Sequence, residues 1–406
     1  MAITIQKQPT QDVPAYNDIV YIVSSDNTSE ANFKYVADIY IGSDMIRVTA
    51  NKHPDYTNGL FNIGRIIESY VNSDINKDLN GFQLNLNSYT PFYIQFGEEY
   101  GSTPTVYPNL TTSSTHYAWN GVLDFLPYQS YDQNDYVMRS SVADGKFLTN
   151  MPQSGVIRSS EDAWLYSVGY ARTDIYGGQI VTYDSTGAPI QTLIFSNPHY
   201  LVASVNGKYL RMPAGTNNLN NIPASAVVLG SLPIIDSNVA KYDVAILDSG
   251  FSVYDFHSFT VDNTCTKNEV FRFHFLNQLG GYDSFTFYRG NIKTSNIERS
   301  NYKQVSNVMT SATTSGYNTY SRGKKDFNIT ISENIKVQSD WVNQATMIWL
   351  EELITSPDVY LDHATYGLVA VNINNSNYEI KQDAQEKLFN LTLDFNYSYN
   401  KYRQRG

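Results

Sequence analysis

Strict alternation of apolar and polar residues near the C-terminus constrains the fold more than any other feature of the sequence. In "LFNLTLDFNYSYN", apolar or aromatic side chains occupy every second position from Phe389 to Tyr399, and Asn, Thr, Asp or Ser lies between them. Successive side chains of a strand point to opposite faces, so this segment is predicted to be a long strand with one buried face. Such a strand pairs within a sheet or forms an exposed edge. Pairing within this chain is the expectation, and pairing with a neighbouring subunit is the alternative.

Alternation also explains the glycine-containing stretch "FRFHFLNQLGGYDSFTFYRG". Phenylalanines occupy every second position on both sides of Gly280 and Gly281, and Arg272 and His274 lie on the opposite face of the first strand. A phosphate-binding loop would need the glycines to open a helix, with a lysine in the motif, and neither is present. We therefore predict a hairpin with the glycines at its tight turn, and we interpret Arg272 and His274 as strand residues rather than site residues.

Two amphipathic helices are predicted in a chain otherwise rich in strands. The first covers "GLFNIGRIIESYV", where apolar residues recur at spacings of three and four from Leu60 to Val71. The second covers "SDWVNQATMIWLEELITSP", which should begin at a cap on Ser339 or Asp340 and stop at Pro357. The buried stripe predicted for it comprises Trp341, Ala345, Ile348, Trp349 and Leu353.

The pattern along the chain predicts four segments. Residues 1–100 form a β-rich domain with one helix, residues 101–160 a long loop or arm, residues 161–265 an antiparallel sandwich-like domain, and residues 266–406 a hairpin, helix and strand domain. Within the third segment, Asp184 to Gly187 is the predicted turn of a hairpin. The predicted fold class is therefore mainly β (α+β), with antiparallel β-sandwich-type domains and a few short helices, one of them near the C-terminus.

The charge balance argues against two classes of partner. Lys plus Arg is 28 and Asp plus Glu is 39, so the net charge of −11 repels nucleic acid and anionic membrane surfaces. No 18 uncharged apolar residues run together, and the first residues lack the apolar core of a secretory signal. The sequence predicts a soluble chain made in the cytoplasm. The single Cys265 cannot form an internal disulfide and is expected to be a buried, inert thiol.

No catalytic, cofactor-binding or metal-binding residue is predicted. The six histidines are scattered, with no two at metal-ligand spacing, and no Gly-x-Ser-x-Gly elbow occurs. Acidic pairs adjacent in sequence do not provide the separation across a sugar that glycoside hydrolysis needs. These pairs are Glu98-Glu99, expected in a turn, Glu161-Asp162, and Glu351-Glu352, expected on a solvated helix face. The loops "DSTG" and "YDQND" are interpreted as turns rather than calcium sites.

Four segments, in this order along the chain, carry a resemblance to a class of known proteins. They are "DGKFLTNMPQSGVIRSSEDAWLY" (Asp144 to Tyr166), "FRFHFLNQLGGYDSFTF", "NIERSNYK" (Asn296 to Lys303) and "EKLFNLTLDFNYSYNKYRQRG". They resemble segments of virion structural proteins from tailed bacteriophages, particularly the crAss-like phages of gut Bacteroidales. The resemblance implies a virion protein of the tail, in the hub or baseplate, or else a ring protein of the neck. None of the segments is a catalytic signature, so the resemblance implies no individual functional residue.

The composition suits a protein that makes wide contacts. The chain holds 33 tyrosines and only 17% charged residues, and the centres of protein interfaces are rich in aromatic residues and poor in charge. Together with this composition, the resemblance implies as partners copies of the chain itself in a ring or other symmetric oligomer, neighbouring virion tail proteins, and tail fibres. One alternative is a carbohydrate-binding surface protein that uses exposed Tyr117, Trp119 and Trp164. Another is a glycan-degrading enzyme.

Overall fold

A computed structural model describes residues 3–75, 77, 80–141, 144–200, 208–303, 308–309, 311–316, 320, 323–375, 388–399 and 401. Strands hold 49% of the residues and helices 10%, which confirms the mainly β fold with few short helices. Unit 1 comprises Met1–Thr264 and Phe275–Ser284, and unit 2 comprises Cys265–His274 and Phe285–Gly406. The finer division into segments 1–100, 101–160, 161–265 and 266–406 stays a prediction.

The strands of the chain alternate with only short helical elements. Up to residue 262 the strands are β1 (Thr4–Lys7), β2 (Asp12–Pro14), β3 (Val20–Ser24), β4 (Lys34–Ile41), β5 (Asp44–Ala50), β6 (Gly59–Asn62), β7 (Gln83–Leu84), β8 (Tyr89–Tyr100), β9 (Thr105–Thr112), β10 (His116–Trp119), β11 (Val137–Met138), β12 (Ser154–Arg158), β13 (Trp164–Gly169), β14 (Gly177–Tyr183), β15 (Pro189–Ser196), β16 (Tyr209–Pro213), β17 (Val227–Leu229), β18 (Lys241–Leu247) and β19 (Val253–Asp262). The helices there are α1 (Gly64–Ile67), α2 (Phe125–Gln129) and α3 (Thr216–Asn220), with 3-10 turns at Glu68–Tyr70, Leu86–Ser88, Gln133–Asp135 and Ala224–Ala226.

In the described part of the chain after residue 270, the remaining strands precede and follow one longer helix. They are β20 (Phe271–Leu276), β21 (Tyr282–Phe287), β22 (Gly290–Lys303), β23 (Val308–Met309), β24 (Ser315–Gly316), β25 (Lys324–Gln338), β26 (Val359–His363), β27 (Gly367–Ile373) and β28 (Thr392–Tyr397). The helix is α4 (Gln344–Thr355).

Two sheets of unit 1 share the first core. One has the order β1-β3-β6, and the other has the order β2-β10-β8-β4-β5, with β9 also on β8. Aromatic and β-branched residues of these strands fill the space between them, including Tyr21, Tyr35 and Phe96, which are fully buried. The first predicted helix is the single turn α1 followed by a 3-10 turn.

Two further sheets of unit 1 enclose the second core. Their orders are β11-β13-β16-β7 and β12-β19-β18-β14-β15-β17. The predicted hairpin is confirmed, because β14 pairs antiparallel with β15 across a turn in which Gly187 has a φ of +85°. Asp184 closes this turn, since its Oδ1 accepts hydrogen bonds from the backbone N–H of Thr186 and of Ala188. The pairs β2–β10, β11–β13 and β12–β19 are parallel, so the sheets are mixed rather than purely antiparallel.

The predicted hairpin between residues 271 and 290 is confirmed. Strands β20 and β21 are neighbours, and Gly280 lies between them with a φ of +86°. A Cβ at this glycine would lie 1.5 Å from the backbone oxygen of Asn120, so the position requires glycine for space as well as for conformation.

The sheet of unit 2 has the order β21-β20-β26-β27-β28-β25-β22. Strand β28 lies inside it, with β27 on one side and β25 on the other, so the alternating C-terminal segment pairs within the chain's own sheet as expected. Leu393 and Phe395 are fully buried, whereas Tyr399 at the end of the alternation is 53% exposed.

The structure corrects the prediction for α4. The helix begins at Gln344, and its cap is Asn343 rather than Ser339 or Asp340. The Asn343 Oδ1 accepts a hydrogen bond from the backbone N–H of Thr346 at 2.8 Å. Trp349 and Leu353 are buried as predicted, but the other buried positions are Met347 and Leu350. The remaining members of the predicted stripe are exposed, namely Trp341, Ala345 and Ile348.

Candidate interaction sites

Among the residues described, the last two strands in the order of the unit 2 sheet, β25 and β22, extend together far beyond the other strands of that sheet. Strand β22 pairs with β25 from Gly290–Gln338 to Lys303–Lys324, but β28 covers the other side of β25 only at Ile335–Gln338. Residues 294–303 and 324–334 therefore form a two-stranded ribbon, which has one further bridge, from Ile331 to Lys401. We call this ribbon the arm. Ten residues of strand correspond to a length of about 33 Å.

The outer strand of the arm is exposed, and the arm carries exposed apolar side chains. Every residue of β22 from Ile292 to Lys303 is exposed, and Ile297 and Phe327 are 52% and 50% exposed. An isolated two-stranded ribbon is at best marginally stable in water, so a ribbon of this kind gains stability from a covering surface. The hairpin sequence 290–338 contains seven Lys or Arg and three Asp or Glu, a net charge of +4 in a chain of net charge −11.

An open pocket in unit 2 surrounds an exposed tryptophan. It has a volume of about 430 Å³ and is lined by Arg289, Gln338, Asp340, Trp341 and Asn390. Trp341 precedes the cap of α4 and is 63% exposed. We call this site the Trp341 pocket. The sequence prediction missed it because it placed Trp341 in the buried stripe of the helix.

Hydrogen bonds fix the polar wall of the Trp341 pocket. The Nε and Nη2 atoms of Arg289 donate to the two carboxylate oxygens of Asp340, both at 2.8 Å, in a bidentate ion pair. Asp340 also accepts hydrogen bonds from the Tyr288 hydroxyl and from the backbone N–H of Trp341, both at 2.7 Å. Burial opposes ionisation of Asp340, but the hydrogen bonds from Tyr288 and Arg289 outweigh it and hold the pKa of Asp340 below its usual value.

A buried ion pair in unit 1 is the other unusual polar site. The Nζ of Lys208 lies 3.6 Å from Oδ1 of Asp12, which is 0% exposed. Three tyrosine rings surround the ammonium, with centroids 3.7 Å away for Tyr117, 5.3 Å for Tyr170 and 5.7 Å for Tyr89. Burial raises the pKa of Asp12 to about 6 against the opposing effect of Lys208, and burial lowers the pKa of Lys208. The Asp12 and Lys208 side chains are 0% and 12% exposed, so the pair is enclosed by the protein and we interpret it as structural.

The raised pKa of Asp12 predicts a pH dependence of stability. Between about pH 4 and pH 6 the folded protein holds a proton on Asp12 that the unfolded chain has released, so the free energy of unfolding falls as the pH rises through this window. A change in pKa from 3.8 to about 6 corresponds to about 3 kcal/mol. Urea unfolding from pH 4 to pH 7 should show this slope in the wild type relative to the Asp12→Asn variant. Parallel stability curves for the two proteins would contradict it.

The residues predicted for a carbohydrate-binding alternative are not exposed platforms. Trp119 is fully buried and Trp164 is 3% exposed, since both lie on strands inside unit 1. Tyr117 is half-buried and stacks on Tyr89 at 5.2 Å beneath Lys208. These three residues therefore cannot stack on a sugar in the folded chain.

Arg272 and His274 are strand residues, as predicted, and both are buried in unit 2. Arg272 is 6% exposed, and its Nη1 donates to Oγ1 of Thr286 at 2.8 Å. His274 is fully buried, and its Nε2 lies 3.9 Å from Oδ2 of Asp362.

The prediction that Cys265 is buried is wrong, because Cys265 is a free, exposed thiol.

The acidic pairs occupy three different environments. Glu98 lies within β8 rather than in a turn, is buried, and accepts hydrogen bonds from the Ser25 hydroxyl and the Asn27 side chain. Glu161 and Asp162 are buried and accept hydrogen bonds from the backbone N–H of Arg158 and the side chain of Asn217. On α4, Glu351 is exposed as expected, but Glu352 is half-buried.

The second acidic loop is a turn. Asp132 in "YDQND" caps the 3-10 turn Gln133–Asp135, because its Oδ1 accepts a hydrogen bond from the backbone N–H of Asn134 at 3.0 Å.

No group of three or more His, Cys, Asp or Glu side chains within the described residues has the geometry to hold a metal ion. In the same part of the chain, no helix has the length and apolarity needed to cross a bilayer.

Comparison with known proteins assigns no family. No protein-family model matches the chain, and no curated protein matches it. The chain is similar to a solved structure described as "Biofilm associated protein - BSP domain", with 10% sequence identity and a TM-score of 0.16. The match covers 82% of this chain and 62% of that one, so the chain spans less than two thirds of the length of the matched structure. A similarity this low does not show a shared fold.

Proposed function

We propose that this chain is a non-enzymatic structural subunit of a tailed-phage virion, in the tail hub or baseplate, and that it assembles into a ring or other symmetric oligomer. The observation that carries the proposal is the arm, a two-stranded ribbon in which every residue of β22 from Ile292 to Lys303 is exposed. The resemblance of four sequence segments to tailed-phage virion proteins supports the virion as the setting.

The partner of the arm is a second copy of the same chain. The hairpin 290–338 has a net charge of +4, which leaves −15 on the rest of the chain, so an arm and the body of another copy attract each other. An arm that docks on a different surface of the next copy makes a heterologous contact, and such contacts form a ring when the rotation from copy to copy closes. The exposed Ile297 and Phe327 supply apolar area that this contact would bury.

Charge reversal on the arm should weaken self-association at least tenfold. Lys303 and Lys324 are both exposed and face each other across the arm, so Lys303→Glu with Lys324→Glu replaces one like-charged pair by another and spares the strand pairing. A matched control is Lys7→Glu with Lys267→Glu, which makes the same change in net charge at exposed positions outside the arm. Sedimentation over a concentration series would measure the association constant of each protein. High salt should also weaken wild-type assembly, because it screens exposed charges.

Two results would contradict the proposal. If the arm variant and its control associate equally, then the arm does not make the contact. If the chain is absent from purified virions of a phage that encodes it, as measured by quantitative mass spectrometry of the particles, then it is not a virion subunit.

A further inference from the structure

The Trp341 pocket combines one exposed aromatic face with a wall of polar side chains. Trp341 is 63% exposed, and Arg289, Gln338, Asp340 and Asn390 complete the lining. From this arrangement we propose that the pocket binds a neutral hexopyranose unit of a polysaccharide, with the C–H face of the sugar against the indole. This inference does not depend on the proposed assembly function.

The indole matches the apolar side of a pyranose ring. A hexopyranose presents axial C–H bonds on one face and hydroxyl groups around its rim, so it needs an aromatic plane beneath it and polar groups beside it. An indole offers a wide, rigid apolar surface at a low cost in conformational entropy. The pocket volume of about 430 Å³ falls within the range of about 300–1,000 Å³ that small-molecule sites occupy.

The polar wall is held in place before any ligand arrives. The bidentate pair between Arg289 and Asp340 sets the plane of the guanidinium, and the Tyr288 hydroxyl sets the carboxylate. Two residues before β28, the Asn390 amide donates to the backbone oxygen of Ser339 at 2.5 Å, which turns the amide oxygen away from that bond. Binding groups that are already oriented lose little entropy when a ligand binds.

The charges in the pocket select a neutral sugar. The Asp340 carboxylate compensates the Arg289 guanidinium within the same ion pair, so the pair adds no net charge to the site. An acidic sugar would have to compete with Asp340 for Arg289. A protein partner fits less well, because the centres of protein interfaces are depleted of charge, whereas Trp341 is the single large apolar side chain in the lining.

Glycan binding can be measured directly on the full chain. An array of neutral oligosaccharides built from glucose, galactose, mannose and their N-acetyl derivatives should give at least one ligand, and that ligand should change the tryptophan fluorescence. Trp341→Ala should weaken binding at least tenfold, which corresponds to about 1.4 kcal/mol, and Trp341→Phe should weaken it less because a smaller ring remains. Tyr366→Ala is the matched control, since Tyr366 is also an exposed aromatic residue of unit 2, at 74%, outside the pocket.

The outcomes separate cleanly. Loss of binding in Trp341→Ala, with an unchanged melting temperature and normal binding in Tyr366→Ala, supports the site. The inference is overturned if no neutral sugar binds, if only acidic sugars bind, or if Trp341→Ala binds as tightly as the wild type. Self-association of Trp341→Ala should match that of the wild type, so failure of the sugar test leaves the arm test unaffected.

Discussion

Replacing Lys208 with methionine should lower the free energy of unfolding by about 3–5 kcal/mol at pH 7, because it leaves the Asp12 carboxyl group buried without its countercharge. Asp12 is 0% exposed, and the Lys208 ammonium lies 3.6 Å away. Methionine keeps most of the length of the lysine side chain and its contact with the Tyr117 ring, so the loss of charge dominates the effect. Urea unfolding of both proteins at pH 7 measures the difference.

The double variant Asp12→Asn with Lys208→Met tests whether the unpaired carboxylate causes the loss of stability. If Lys208→Met lowers the free energy of unfolding because it leaves a buried carboxylate without a countercharge, then removing that carboxylate should restore most of the lost stability. Replacement of a whole buried ion pair by neutral groups is often close to neutral in energy, whereas removal of one partner is not. A double variant that is no more stable than Lys208→Met would show that packing around Lys208, rather than its charge, provides the stability.

The Asp12–Lys208 pair also shows which features the sequence could not predict. The two residues are far apart in the chain, and neither lies in a motif with a characteristic spacing. Their proximity follows from the parallel pairing of β2 with β10 and from the position of Lys208 just before β16, and both result from tertiary structure. Local patterns carry no information on such pairs.

Strand positions were predicted well because alternation is a local property. The C-terminal strand β28, the β14–β15 hairpin and the β20–β21 hairpin all follow from the period of two and from turn residues. The same period places Arg272 and His274 opposite the phenylalanines of β20, but it does not show whether that face is exposed or buried. Thr286 and Asp362 provide polar partners for these side chains from other strands, so both faces of β20 are buried.

The two candidate interaction sites were missed for a related reason. The arm includes "NIERSNYK", a polar sequence with no sustained alternation, and only its pairing with β25 identifies it as a strand. Trp341 was assigned to the helix because the predicted cap was Ser339 or Asp340, and a helix that begins there includes the tryptophan in its first turn. The structure selects Asn343 and leaves Trp341 at the surface.

Replacing Trp349 with alanine should lower the free energy of unfolding by about 3–5 kcal/mol, because it opens a cavity beneath α4. Trp349 is 4% exposed, and its ring packs edge-on against Phe285 at a centroid distance of 6.1 Å. Leu350 and Leu353, on the same helix, are fully buried beside it. Guanidinium unfolding followed by far-UV circular dichroism would measure the loss.

Ile348→Ala is the matched control, and it decides between the two placements of the helix. Ile348 belongs to the stripe that the sequence predicts to be buried, but it is 53% exposed in the structure, so its truncation should cost less than about 1 kcal/mol. A large loss at Ile348 together with a small loss at Trp349 would mean that α4 packs with its other face inward. That result would also bury Trp341 with the rest of the predicted stripe, and it would remove the aromatic platform on which the proposed sugar site depends.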